Sequence, residues 1–488
     1  MLSRLHRLLP FATLAFGIAA LYLFQLGGVG VLQADEPRYL AIGHAMARTG
    51  DWVTPNLWGA PWFEKPPLLY WMTAAGTLGG LGPELAGRLP VAVLSLLFLW
   101  TAYVLLTREF GRQAAGIAVA LLATSAGWLT YSELALTDLP LAVFFALAVF
   151  LALPLLRVRP DTAGVNRRFL LIGACIGLGT LAKGLVPIAL AIPFFWFLRR
   201  FSRNWWLAFA AGALVALPWY IAVYLRNGYP FIEEFFLKHH LERLYSASLQ
   251  HVQPWYYYLP ILLAGIFPWT PLLAMLFRKT TAWDQRHQFL ASMVVFGIVF
   301  FSVSLNKLPG YLLPLLPALF ALLGAGFEKR PFTQLTRWWL VPSACLIAVI
   351  PLIASVLPPS LAEGKVSMAQ IQVARPEWFY ILLPLAVVAL ARRSWAGAIL
   401  VLCFVLAGIY LKLQTLPVLD ETVSARGLWR EIREKSPALC DGGTNREWLY
   451  GIEFYRGTSI PYCGDGSGFA YKLQSQGRAR PVVTTIGR

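Results

Sequence analysis

The chain has 488 residues, of which 58% are hydrophobic and only 13% charged, with a mean hydropathy of +0.61 and a formal net charge of +17. A soluble protein would carry about 25% charged residues, and a bilayer crossing needs about 20 consecutive apolar ones; this sequence has many such windows, so a soluble multidomain protein is excluded. The positive charge lies in short loops between apolar runs, where it reads as topogenic rather than as a nucleic-acid surface.

The first apolar run, Leu8 to Leu26, follows Arg4 and Arg7 like a signal peptide. No small-residue cleavage site follows it, so it is expected to stay as a first membrane helix. In chain order, thirteen spans are predicted: about 6–27, 83–106, 113–130, 135–156, 168–182, 184–198, 205–225, 256–277, 288–305, 308–326, 338–357, 377–391 and 395–413. The 168–198 region would also fit one re-entrant hairpin. With the N-terminus in the cytoplasm, every inside loop carries at least two basic residues, from Arg4 and Arg7 to Arg392 and Arg393. The outside then receives three polar segments, Gly28–Gly82, Arg226–Trp255 and Pro358–Pro376, and the tail from about Gln414.

The first outer segment holds Asp35-Glu36-Pro37. Asp can cap a helix and Pro suits a first turn, so a short surface helix is expected through Arg48, stopped by Gly50. Asp35 is then either a plain cap or a reactive carboxylate, and Glu36 supports the helix dipole. Further on, Glu64-Lys65-Pro66-Pro67 holds Lys65 before an apolar stretch, where it either snorkels or meets a lipid phosphate.

Ionisable groups at span ends are functional candidates by default. Asp138 in LTDLPL, Lys183 in LAKGLVP and Lys307 in NKLPGYLL all fall on the outside, with Tyr311 one turn past Lys307. Salt bridges between helices would be the plain alternative. In the second outer segment, His239 and His240 are adjacent, a weak metal signal alone because helical His ligands usually stand four apart. Glu64 is a candidate third ligand, and Arg243 suits a phosphate. There is no phosphate-binding glycine loop, no HExxH and no DxD pair. No nucleotide cofactor is expected, and the substrate must bring its own energy.

The tail reads as a small α/β domain. Ser424 is expected to cap a helix running to Lys435, with Trp429 and Ile432 on one face. Trp448–Tyr455 and Pro481–Ile486 look strand-like. Cys440 and Cys463 would lie on the oxidising side, as a disulfide or as two thiols.

The stretch ADEPRYLAIGHAMARTGDWVTPNLWGAPWFEKPPLLYW, followed in order by LTDLPL, LAKGLVP, KHHLERL and NKLPGYLLPLLPAL, resembles the bacterial aminoarabinose (4-amino-4-deoxy-L-arabinose) lipid A transferases. These are glycosyltransferases of the C-type fold, related to the protein O-mannosyltransferases. The resemblance covers roughly the first 330 residues; Trp62 stands before Phe63 where the family usually shows Tyr, and the tail is short. It implies a polytopic α-helical membrane protein with about thirteen transmembrane helices (1–413) and a small periplasmic α/β domain (414–488).

It also implies a sugar donor on undecaprenyl phosphate, and lipid A or a related glycan or protein as acceptor. Asp35 is then the catalytic carboxylate, and Lys65, Arg243 and Tyr311 hold the donor phosphate. Glu36, Arg38, Asp138, Lys183 and Lys307 line the cavity. A zinc ion on Glu64, His239 and His240 would join the two outer loops. The expected protein is a monomer in the bacterial inner membrane, in contact with membrane lipids, with its active site and C-terminus periplasmic. Protein O-glycosylation and flipping of a lipid-linked sugar are the alternatives.

Overall fold

The computed structural model describes residues 2–242, 253–277, 283–326, 334–362, 378–390, 396–464, 468–477 and 480–486; side chains at 2–11, 239–242, 334–339, 355, 357–362, 378–381 and 390 stand outside that description. The architecture is a helical bundle of membrane type. Among the described residues, six helices are long and apolar enough to cross a bilayer: Leu85–Ala123, Asp138–Leu156, Val165–Lys183, Arg199–Asn227, Gln285–Val303 and Ala396–Thr422. The pair Trp255–Gly265 and Thr270–Phe277, bent by 108°, makes a seventh if it is one span.

Among the described residues this count stays below the expected thirteen, and it leaves out the helices Leu2–Leu23 and Gln334–Ala362, whose side chains are only partly described. Several expected spans are short helices here, such as Val186–Leu190 and Ile192–Phe197. Two others run together in Leu85–Ala123, where Gly111 (φ 82, ψ 164) breaks the helix between them. Only glycine takes that backbone conformation without strain. The last helix continues through Pro417 to Thr422, past the expected boundary at 413.

The Asp35–Thr49 helix forms as its sequence requires. Asp35 and Glu36 face the positive end of the dipole and Arg48 the negative end. Gly50 (φ 72) closes it, donating its N–H to Met46 O at 2.9 Å. Asp35 is not the cap, however. Ala34 occupies that place and makes no side-chain cap, so the Asp35 carboxylate is left for other contacts.

The C-terminal segment holds the helices Ala425–Ile432 and Arg446–Arg456 and the strands Leu439–Asp441, Tyr471–Gln474 and Val482–Thr485. The middle strand pairs parallel with the first and antiparallel with the last. Cys440 and Cys463 are joined in a disulfide, with Cα atoms 4.9 Å apart.

Two expectations fail here for local reasons. Trp448–Tyr455 is helical, because Asn445 accepts Glu447 N at 3.0 Å as a cap and Gly457 (φ 81) ends the helix. Ser424 precedes a helix but does not cap it; its hydroxyl turns back to Asp420 O and Oδ1, both at 2.9 Å. The core of this segment is shared with the segment Gly28–Gly82: Val31 and Leu40 pack with Leu428, Trp448 and Ile452.

Candidate active site

The segment Gly28–Gly82 presents a chain of ion pairs. Arg38 sits one turn into the Asp35–Thr49 helix, which places it over Asp35, and the two are paired. Its other amino group donates to Glu64 Oε2 at 2.6 Å, and its Nε to Ala34 O at 2.9 Å. Glu64 in turn pairs with Lys65, whose Nζ lies 3.1 Å from Oε1. Asp35 is the open end of this chain, with 45% of its side chain exposed, against 11% for Arg38 and Glu64. Burial alone would pull the Arg38 guanidinium down, but Glu64, Tyr39 and Asp35 outweigh it and hold the group above the ordinary arginine value.

A second cluster comes from the spans. The Asp138–Ala152 helix starts at Asp138, and Val165–Lys183 ends at Lys183; their charged ends meet, with Nζ 2.6 Å from Oδ1. Tyr311 lies beneath, its ring 5.0 Å from the Lys183 ammonium. Gly310 packs so closely on the Asp138 carboxylate and the Tyr131 hydroxyl that a side chain there would collide with both.

Tyr131 joins the two clusters electrostatically. Burial raises its phenol above the ordinary value, and the charges of Asp138 and, more weakly, Asp35 push it further. Tyr131 is thus within electrostatic reach of both Asp138 and Asp35.

Other expected members stand apart. Glu36 is withdrawn from the cavity, 2% exposed and bound to Arg88 through both oxygens, at 2.8 and 2.7 Å. It also accepts Ala135 N at 3.1 Å and Leu32 N at 3.3 Å, which makes it a joint of the fold. Lys307 is 4% exposed and donates to Ser304 O (2.5 Å) and Gln253 O (3.1 Å), so it ties down a turn. Arg243 falls outside the described residues, and so do the side chains of His239 and His240. The zinc set is thus represented here only by Glu64, whose carboxylate already meets Arg38 and Lys65. Among the described residues no three His, Cys, Asp or Glu side chains gather as metal ligands would.

Sequence reasoning missed Arg88, Tyr131 and Lys412. Arg88 and Lys412 sit inside apolar helices and carried the same signal as Asp138: a charge that hydropathy does not explain. Lys412 pairs with Glu133 at 2.7 Å and donates to Leu21 O at 2.6 Å and Phe24 O at 3.0 Å. An apolar cavity of about 470 Å³ lies between the Val165–Lys183 and Trp205–Asn227 helices, lined by Ile176, Thr180, Phe195, Trp205, Ala213 and Tyr220 among others. Its lining flanks Lys183 on both sides in the chain, at Thr180 and Leu185.

Three comparisons bear on this arrangement. Residues 8–230 match the family model of dolichyl-phosphate-mannose-protein mannosyltransferases. A curated relative, the undecaprenyl phosphate-alpha-4-amino-4-deoxy-L-arabinose arabinosyl transferase of Pseudomonas paraeruginosa strain DSM 24068 / PA7, is 36% identical over 333 residues, 65% of this chain. The match spans 59% of that relative, so the chain covers less than two thirds of its length. The crystal structure of ArnT from Cupriavidus metallidurans in the apo state superposes with a TM-score of 0.75 at 22% identity, covering 96% of this chain and 93% of the other. The same protein bound to undecaprenyl phosphate gives 0.73, covering 95% and 92%.

Proposed function

We propose that this chain, which is similar to the undecaprenyl phosphate-aminoarabinose arabinosyl transferases and shares the fold of ArnT, moves a sugar from undecaprenyl phosphate to lipid A or a related acceptor, with aminoarabinose as the sugar. The observation that carries the reading is the ion-pair chain Asp35–Arg38–Glu64–Lys65, with the one half-exposed carboxylate at its end.

Transfer breaks the bond from the sugar's anomeric carbon to the phosphate oxygen, and the electron pair leaves with the phosphate. That charge must be neutralised where it develops. In this proposal Lys65, just before the Leu68–Leu78 helix, supplies that charge, with Arg243 and Tyr311 as its partners. The acceptor oxygen forms the new bond. Asp35 takes the acceptor's proton if that acceptor is a hydroxyl. If it is a phosphate, no strong base is needed, and Asp35 steadies positive charge at the anomeric carbon. Asp138 and Lys183 hold the far wall of the site. The apolar cavity flanking Lys183 suits the polyprenyl chain of the donor.

The same reading places the protein in the bacterial inner membrane as a monomer, with a cytoplasmic N-terminus and a periplasmic site and tail. Zinc on Glu64, His239 and His240 remains part of the proposal as a pin between outer loops. It would have to share Glu64 with Arg38, and no chemical step depends on it. The mannosyltransferase family match favours one second reading, a protein acceptor.

The test is transfer by the purified protein from undecaprenyl-phosphate aminoarabinose, offered lipid A in one reaction and a Ser/Thr peptide in another. Glycosylated lipid A is expected, and Asp35→Asn should abolish it while the protein stays folded. Transfer to the peptide alone would install the second reading, and no transfer to either would overturn both.

A further inference from the structure

The strands Asn56–Leu57 and Ala60–Pro61 form a hairpin whose tip is Trp58–Gly59. Gly59 (φ 93) is ordinary at such a tip, but Trp58 (φ 50) is not, since a bulky side chain is strained in the left-handed region. Strain of this kind persists only when the surroundings enforce it. Here the Trp58 ring packs 5.5 Å, centroid to centroid, from the ring of Tyr450 on the Arg446–Arg456 helix.

Tyr450 also stands 5.3 Å from the Arg38 guanidinium. Trp62, just past the hairpin, lies at the same 5.3 Å, and Tyr39 at 5.9 Å. Arg38 therefore sits among three rings while its N–H groups are directed at Ala34 O, Asp35 and Glu64. The Nε1 atoms of Trp58 and Trp62 are buried with no acceptor among the described residues. This cage offers ring faces to the cation, not hydrogen bonds.

Two of the three rings belong to the segment Gly28–Gly82. Tyr450 comes from about 400 residues further along the chain, outside the region that the mannosyltransferase family model matches. Its helix is fixed to the loop independently: Tyr455 donates to Glu84 Oε1 at 2.7 Å and accepts Val31 N at 3.0 Å.

We propose that Tyr450 is a positioning residue for the active site: from the C-terminal segment it immobilises Arg38 and the Trp58 hairpin, and through Arg38 it sets the spacing of Asp35 and Glu64. Its effect on turnover rests on the transferase reading; its effect on loop order does not.

The experiment uses the full-length protein in detergent with three variants, Tyr450→Ala, Tyr450→Phe and Tyr455→Phe. Hydrogen exchange of residues 56–65 should quicken on the order of ten-fold in Tyr450→Ala, as loss of a desolvated cation–ring contact allows. Tyr450→Phe, which keeps the ring, should restore most of the protection, and Tyr455→Phe should leave 56–65 as in the wild type. With undecaprenyl-phosphate aminoarabinose as donor, Tyr450→Ala should lower kcat on the order of ten-fold and raise the donor KM by less than that, because Asp35 is paired to Arg38 directly and Lys65 is tied to it only through Glu64. Wild-type exchange in Tyr450→Ala, or equal loss of protection in Tyr455→Phe, would overturn the proposal, as would a fall confined to KM. A wild-type protein that transfers no sugar would refute the functional reading, and the exchange result would still decide the role of Tyr450.

Discussion

Replacing Arg88 by Leu tests the joint between the Gly28–Gly82 segment and the spans. Arg88 is 1% exposed and holds Glu36, itself 2% exposed, through Nε and Nη2. Its guanidinium also donates to Val29 O at 2.6 Å, Gly30 O at 3.0 Å and Leu26 O at 3.3 Å. In the variant the Glu36 carboxylate would keep only Ala135 N and Leu32 N, and three carbonyls would lose a donor. Removing one partner of a buried pair costs about 3–5 kcal/mol, mostly for the charge left unpaired. We therefore expect Arg88→Leu to lose about 4 kcal/mol in reversible unfolding by a denaturing detergent in mixed micelles. The double variant with Glu36→Leu should lose less than the single, because no buried charge is stranded. Arg88→Lys should fall between, since an ammonium cannot reproduce the two-pronged contact. A loss below about 1 kcal/mol in Arg88→Leu would refute the reasoning, as would a double variant worse than the single.

Lys183→Met leaves Asp138 nearly buried without its ammonium partner, and should cost about 3 kcal/mol and abolish transfer; unchanged turnover would remove the pair from the site. Lys65→Ala should weaken binding of undecaprenyl phosphate at least ten-fold, and equal affinity would count against its phosphate role. Glu453, 3% exposed, has its carboxyl raised by burial from 4.5 to about 7, although Ile460 N donates to it at 2.8 Å. Because the folded value lies above the unfolded one, its contribution is fully present below about pH 4.5 and is lost as pH rises through about 7. Wild type should lose about 3 kcal/mol relative to Glu453→Gln across that window, read by hydrogen exchange of the C-terminal segment, and parallel profiles would refute the assignment. Metal analysis of purified protein should find one zinc per chain, lost in Glu64→Ala; metal-free protein of full stability would dispose of that site.

Much was legible from the sequence alone. Hydropathy marked the chain as a membrane protein because the bilayer demands long apolar runs, a local property. The Asp35–Thr49 helix was readable from Pro37 in its first turn and from the stop at Gly50, also local, although Asp35 is not its cap. The candidate carboxylates and lysines were readable because a charge in an apolar run costs energy and needs a reason. What the tertiary structure decided is who meets whom. Asp138 finds Lys183 across 45 residues, Glu36 finds Arg88 across 52, and Tyr450 reaches Arg38 from the far end of the chain. Asp35 reads from the sequence as a cap or a reactive carboxylate and Glu36 as a support for the helix dipole; what the fold adds is that one helical step turns Glu36 into the core against Arg88 and leaves Asp35 half in solvent. The strand expected at Trp448–Tyr455 fails for a local reason instead: the cap at Asn445 and the stop at Gly457 select a helix, which packs against Val31 and Leu40.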